Sequence, residues 1–193
     1  MPPHQCFCFP GVLLTGFNAL SAEADGPQPD HEPAHPLRRG PAWGTEPGEK
    51  IDMTIDWPTY RHDRLRSGHI ECEVPAELKP LWKKSMTEGL TAPVEAESSL
   101  YLAEEEAHTL HCLDAETGEE QWSFVAGGPI DSPPTVYRGL VLFGCTDGWV
   151  YCLRASDGQM VWRFRAAPHR RRLNAFGNLE SAWPAHGSVL VQD

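Results

Sequence analysis

The sequence predicts an all-β chain of repeated four-stranded antiparallel sheets, and three observations carry that prediction. Trp82, Trp122 and Trp162 recur at intervals of 40 residues. Laying residues 82–121 over 122–161 without a gap gives eight identities on turn and core positions: the tryptophans themselves, Pro93/Pro133, Leu100/Leu140, Leu102/Leu142, Cys112/Cys152, Leu113/Leu153, Ala115/Ala155 and Gly118/Gly158. Each unit also divides into four short alternating apolar runs bounded by Gly, Asp and Pro, the periodicity of strands rather than helices. A fixed period near 40 residues with four strands per unit is the signature of β-propeller blades. The expected fold is therefore a partial β-propeller preceded by a disordered N-terminal region.

Taken in order, residues 1–22 hold an apolar stretch ending in Asn18-Ala19-Leu20-Ser21-Ala22, with small residues at signal-peptidase spacing. Two readings fit it. One is a secretory signal peptide; the other, because Pro10 interrupts the run and no Lys or Arg precedes it, is a disordered leader or a mis-assigned start. The stretch is too short and broken for a membrane span. Residues 23–54, rich in Pro, Gly, Glu and His, read as a disordered linker. The propeller region is expected over 55–193. It starts with an outer strand at 79–85 and a first blade over 91–125, with strands at 91–96, 100–103, 109–113 and 120–125. A second blade follows over 130–165, with Asp147-Gly148 and Asp157-Gly158 as turns. The third unit is partial, over 180–193, with strands at Glu180–Ala185 and Ser188–Gln192. Two and a half blades cannot close a ring, so the expectation is a piece of a longer propeller. Cys112 and Cys152 share one repeat position, which makes them small buried apolar residues.

The run Cys112-Leu113-Asp114-Ala115-Glu116-Thr117-Gly118-Glu119-Glu120-Gln121-Trp122 resembles the tryptophan-docking motif of the pyrroloquinoline-quinone-like propeller repeat family. Its second copy keeps Gly158 and Trp162 but carries Arg154 and Asp157 where the first has Asp114 and Thr117. The segment from Asp56 to Asp63, with Arg66-Ser67-Gly68, is similar to the stretch that precedes such propellers in secreted bacterial proteins. The resemblance implies that Gly118 and Gly158 turn the chain into the outer strand and that each Trp packs between adjacent blades. A buried indole covers on the order of 200 Å² and its N–H seeks a backbone acceptor. For some members the resemblance also implies a quinone held beside calcium, with a stacking aromatic, carboxylate ligands and an Asp base.

Chemistry-bearing residues are few. About eight residues are inserted before the third unit, and they include Arg170, Arg171, Arg172 and Asn174. On the loop face of an acidic chain this arginine-tipped segment has two readings: a site for an anion or ligand, or a solvated surface loop whose charge keeps it soluble. Glu104-Glu105-Glu106-Ala107-His108 suggests a cation site, but successive strand residues point to opposite faces and rarely converge, so an exposed acidic turn is expected. Glu180 and Trp183 are the residues that could stand in for a quinone site's carboxylate and aromatic, but Trp183 is expected to pack in the core between blades. Tyr60-Arg61-His62-Asp63 reads as a capping segment packed by Trp57 and Tyr60. No catalytic residue, resident cofactor or metal site is assigned.

A net charge of −11 argues against nucleic acid as a partner. The expected function is a non-catalytic, periplasmic or secreted propeller module that binds a protein or small ligand on one face, similar to the scaffold propellers of outer-membrane assembly. The competing expectations are a fragment of a quinone- and calcium-dependent alcohol or sugar dehydrogenase, and a sensor domain of a larger protein.

Overall fold

The computed structural model describes residues 36–87, 89–175 and 177–192, so the expected signal peptide and residues 23–35 of the expected linker lie outside the described residues. The strands in chain order are β1 (Leu37–Arg39), β2 (Val94–Ala96), β3 (Ser99–Glu104), β4 (Thr109–Asp114), β5 (Glu120–Val125), β6 (Thr135–Tyr137), β7 (Leu140–Gly144), β8 (Trp149–Arg154), β9 (Met160–Arg165), β10 (Arg172–Ala175) and β11 (Asn178–Ser181). Strands β2-β3-β4-β5 form one antiparallel sheet, and β6-β7-β8-β9 form a second of the same order. These are two propeller blades, and the all-β, four-stranded fold class is the one expected.

Local chemistry sets the register of each blade. Glu97 and Ser98 both take positive φ (54° and 61°) between Ala96 and its partner Ser99. Arg138 and Gly139 repeat this at 48° and 73° between Tyr137 and Leu140. Two positive-φ residues in a two-residue loop twist a hairpin in the hand that its strands demand. The register also shifts at one repeat position in both blades, Cys112/Leu113 and Cys152/Leu153. Each shift is a bulge that leaves Gln121 or Val161 as the extra residue just before the motif tryptophan.

Two of the three motif tryptophans dock on the turn one repeat onward, whereas Trp162 pairs with Arg39 of the preceding segment and packs on the second apolar cluster. Trp122 Nε1 donates to Ala155 O at 2.7 Å, and a β-carbon on Gly158 would stand 2.5 Å from the Trp122 ring. Trp82 makes the same contacts one repeat earlier, with Nε1 to Ala115 O at 3.0 Å and 2.6 Å for a β-carbon on Gly118. The turn beneath each indole is held in two chemically different ways. Asp114 Oδ1 accepts from Glu116 N, Thr117 N and Thr117 Oγ1. In the second copy Arg154 pairs with Asp157 through Nε–Oδ1 at 2.9 Å and Nη2–Oδ2 at 2.5 Å. Arg154 and Asp157 thus replace Asp114 and Thr117 as a pair.

The main core lies between the blades. Tyr101, Leu110 and Cys112 of the first blade share one buried cluster with Val141, Phe143, Tyr151 and Leu153 of the second. Phe124 crosses the gap, 5.8 Å from Tyr151, which stacks on Phe143 at 5.2 Å. Burial pushes the Cys112 thiol up to about 11 and that of Cys152 up to about 12. Such thiols stay protonated and inert. A segment ahead of the blades lies along both inner strands: Trp57 exchanges two backbone hydrogen bonds with Glu95, and Pro58 O accepts from Val136 N at 2.7 Å.

Three stretches differ from expectation. Residues 36–54 of the supposed linker carry β1, which pairs with β9 in the register Leu37↔Phe164, Arg38↔Arg163, Arg39↔Trp162. The outer edge of β9 offers open backbone groups, and β1 satisfies them as a fifth strand, with Gly40 N and Ala42 N continuing onto Val161 O and Met160 O. Residues 79–85 form no ladder among the described residues, because no strand lies alongside; Trp82 docks through its side chain alone. The third unit does not begin with strands at Glu180–Ala185 and Ser188–Gln192. Instead β11 turns back on β10 within the insertion, with Asn174 Oδ1 accepting from Gly177 N in the turn. Val189 and Val191 nevertheless pack on the second apolar cluster, and Val189 O accepts from Thr135 Oγ1 at 2.6 Å.

Candidate functional site

Period-two geometry places Arg163 and Arg165 on one face of β9, and the β8–β9 register sets them opposite Tyr151 and Trp149. Both guanidinium groups lie over the Trp149 ring, 4.4 Å and 5.7 Å from its centroid. Each such contact contributes about 0.5–2 kcal/mol and holds the planar fork in a fixed orientation. Arg163 Nε is buried without a hydrogen-bond partner. An orphan donor of this kind costs about 1–3 kcal/mol unless something accepts from it.

The hairpin of β10 and β11 closes over this surface. Ser181 N donates to Thr146 O at 2.8 Å, and the β7–β8 turn below can receive the hairpin because Gly148 lacks a side chain: a β-carbon there would stand 2.7 Å from Ala167 Cβ and 2.8 Å from Ser181 Oγ. Between hairpin and blade lies a cavity of about 320 Å³ lined by Arg163, Arg165, Arg170, Arg172, His169 and Asp147, with Trp149 also in its wall. Asp147 is fixed by Trp149 N at 3.0 Å and the Tyr151 hydroxyl at 2.6 Å. Thus four of the 16 Lys and Arg residues in a chain of net charge −11 line one cavity.

Of the loop residues singled out in the sequence, Arg170 and Arg172 line the cavity. Arg171 is engaged through its backbone with Ala182, and Asn174 serves the hairpin turn. Sequence reasoning missed Arg163, Arg165, Trp149 and Asp147. The available signal was the alternation Arg163-Phe164-Arg165 in an outer strand, where an exposed face ordinarily needs no explanation.

The other candidates are spent on structure. Glu104 turns inward, accepting from Thr87 N at 2.8 Å and facing His111 Nε2 at 3.2 Å, whereas Glu105 and Glu106 are exposed, so the three carboxylates do not converge. His111 Nδ1 meets Glu120 at 2.7 Å on its other side. Hydrogen bonds from Thr87 hold the Glu104 carboxyl below its ordinary range, and the bond to His111 does the same for Glu120. In the capping segment, His62 Nε2 donates to Met53 O at 2.9 Å, and Asp63 accepts from Ser67 N and Oγ.

The family model described as outer membrane protein assembly factor BamB matches residues 68–192. The chain belongs to this family of quinone-type propeller repeats. Among solved structures, it is similar to the quinohemoprotein alcohol dehydrogenase of Comamonas testosteroni, with 21% identity, a TM-score of 0.52, and coverage of 60% of this chain and 20% of that one. It is also similar to BamB of Moraxella catarrhalis, with 21% identity, a TM-score of 0.35, and coverage of 36% of this chain and 21% of that one. This BamB-type chain therefore spans about one fifth of the length of each. No curated protein sequence matches it.

Glu180 and Trp183, the two residues singled out for a quinone-site role, lie at the insertion hairpin. Glu180 sits in β11 opposite Leu173, and Trp183 stands edge-on to His169 at 5.7 Å with 41% of its surface exposed, rather than in the core between blades. Among the described residues no three His, Cys, Asp or Glu side chains group as metal ligands.

Proposed function

We propose that this chain is a non-catalytic, extracytoplasmic propeller-repeat module whose loop face binds a protein or small ligand through Arg170 and Arg172 of the insertion that carries the β10–β11 hairpin. The observation that carries this reading is the convergence of Arg170 and Arg172 with two arginines of β9 on one cavity. Arg171 and Asn174 stand beside it on the same insertion. Membership of the BamB-type repeat family supports both a binding role and an envelope setting. No helix among the described residues is long and apolar enough to cross a membrane.

Binding of hexaglutamate and hexalysine, followed by fluorescence anisotropy, tests the reading. A chain of net charge −11 would by bulk electrostatics prefer hexalysine. The expected result is the reverse: hexaglutamate binds, and the double variant Arg170→Gln/Arg172→Gln weakens it about tenfold or more. A preference for hexalysine overturns the proposal. Dye reduction with simple alcohols after adding the quinone and calcium is expected to stay at background; turnover would return the chain to the dehydrogenase class.

A further inference from the structure

We propose that the arginine-lined cavity selects a compact oligoanion, a small molecule carrying at least two oxyanion groups, held by Arg163, Arg165, Arg170 and Arg172. This rests on the reading that the loop face binds through its arginines, and it adds the ligand class and two residues that the loop alone does not supply. Size sets the first limit. The cavity of about 320 Å³ lies at the small end of ligand sites and holds roughly ten waters at about 30 Å³ each. Charge sets the second. Four guanidinium groups share the lining with the single carboxylate of Asp147, so attraction grows with the number of negative groups on the ligand.

Geometry sets the third. Arg163 and Arg165 come from a paired strand and are held against Trp149, so their N–H edges are positioned before any ligand arrives. Arg170 and Arg172 come from a different element, the insertion, so a ligand reaching both pairs needs negative groups at more than one point. Guanidinium forks receive carboxylate and phosphate alike, and the two sources are separated by experiment.

Isothermal titration of the full chain with citrate, pyrophosphate and acetate decides the matter. Citrate or pyrophosphate is expected to bind at least about tenfold tighter than acetate, with affinity falling as salt rises. Whichever is tighter assigns a carboxylate or phosphate ligand. Arg163→Gln and Arg165→Gln are each expected to weaken binding about tenfold, and Arg171→Gln to leave it unchanged. Should the β9 variants unfold, the exposed hairpin variant Arg172→Gln carries the same expectation. Equal affinity for acetate, or an Arg171→Gln loss as large as that of Arg163→Gln, overturns the proposal. If neither oligoanion binds while hexaglutamate still does, the ligand class falls and the broader reading stands; if none binds, both fall.

Discussion

Gly158 sits at φ +69° with the Trp122 ring 2.5 Å from where a β-carbon would be, and Gly118 repeats this beneath Trp82. Gly139 has a similar φ of +73° but nothing within 4 Å of its missing side chain. The pair separates backbone strain from docking. Gly139→Ala carries only the cost of a left-handed backbone, about 1 kcal/mol. Gly158→Ala carries that cost and also displaces an indole whose N–H donates to Ala155 O, so a loss of about 2–4 kcal/mol is expected. Urea midpoints of the two variants check this; equal shifts would mean that docking contributes little. At the same scale, the Arg154–Asp157 pair explains how the second motif tolerates losing the Asp and Thr of the first. The sequence displayed both departures, and only the bidentate contact shows that they compensate.

The element that most changes the picture is β1. Residues 36–42 are poor in apolar periodicity, and all of β1 is exposed. Nothing in Leu37-Arg38-Arg39 marks it as a strand, because its stability comes from the waiting edge of β9 rather than from its own side chains. Gly40 is required there for close approach, since a β-carbon would stand 2.0 Å from Met160 O. The Arg165 amide donates to Pro36 O. Removing residues 1–42 is therefore expected to raise hydrogen exchange at Arg165 well above that at Tyr151, inside the sheet. Unchanged protection at Arg165 would show that β1 does not hold the edge. The β10–β11 hairpin follows the same rule. Its arginines were legible, but its pairing depends on a turn at Gly177 and on the seat that Gly148 leaves open.

At the scale of the molecule, the two blades share one core, so they are expected to lose structure together. Proton linkage reaches across both. Hydrogen bonds lower the carboxyls of Glu104, Asp114 and Glu120, and the Arg154 guanidinium lowers Asp157. Burial, with Asp56 nearby, raises Glu95. A lowered carboxyl stabilises the fold above its unfolded value, here 3.8 for Asp and 4.5 for Glu, and that contribution disappears as pH falls through the folded value. Glu95 works in the opposite sense, gaining as pH falls. With these four, and Asp52 and Asp63 lowered likewise by hydrogen bonds from Thr54 and Ser67, against one, the urea midpoint is expected to hold between pH 7 and 5 and to drop as pH falls further toward 3. A midpoint that rises on acidification would contradict these carboxylate partners.

The amino-acid sequence by itself determined the class, the repeat and the docking positions. A 40-residue recurrence of Trp, Gly and short alternating strands is local chemistry, and two of its tryptophans meet the turn one repeat onward. Tertiary structure alone decided where β1 attaches, how the third unit pairs, and that arginines from β9 and from the insertion share one cavity around Trp149. Those outcomes depend on which open edges and empty spaces the folded blades present, and no stretch of sequence carries that information until its neighbours are in place.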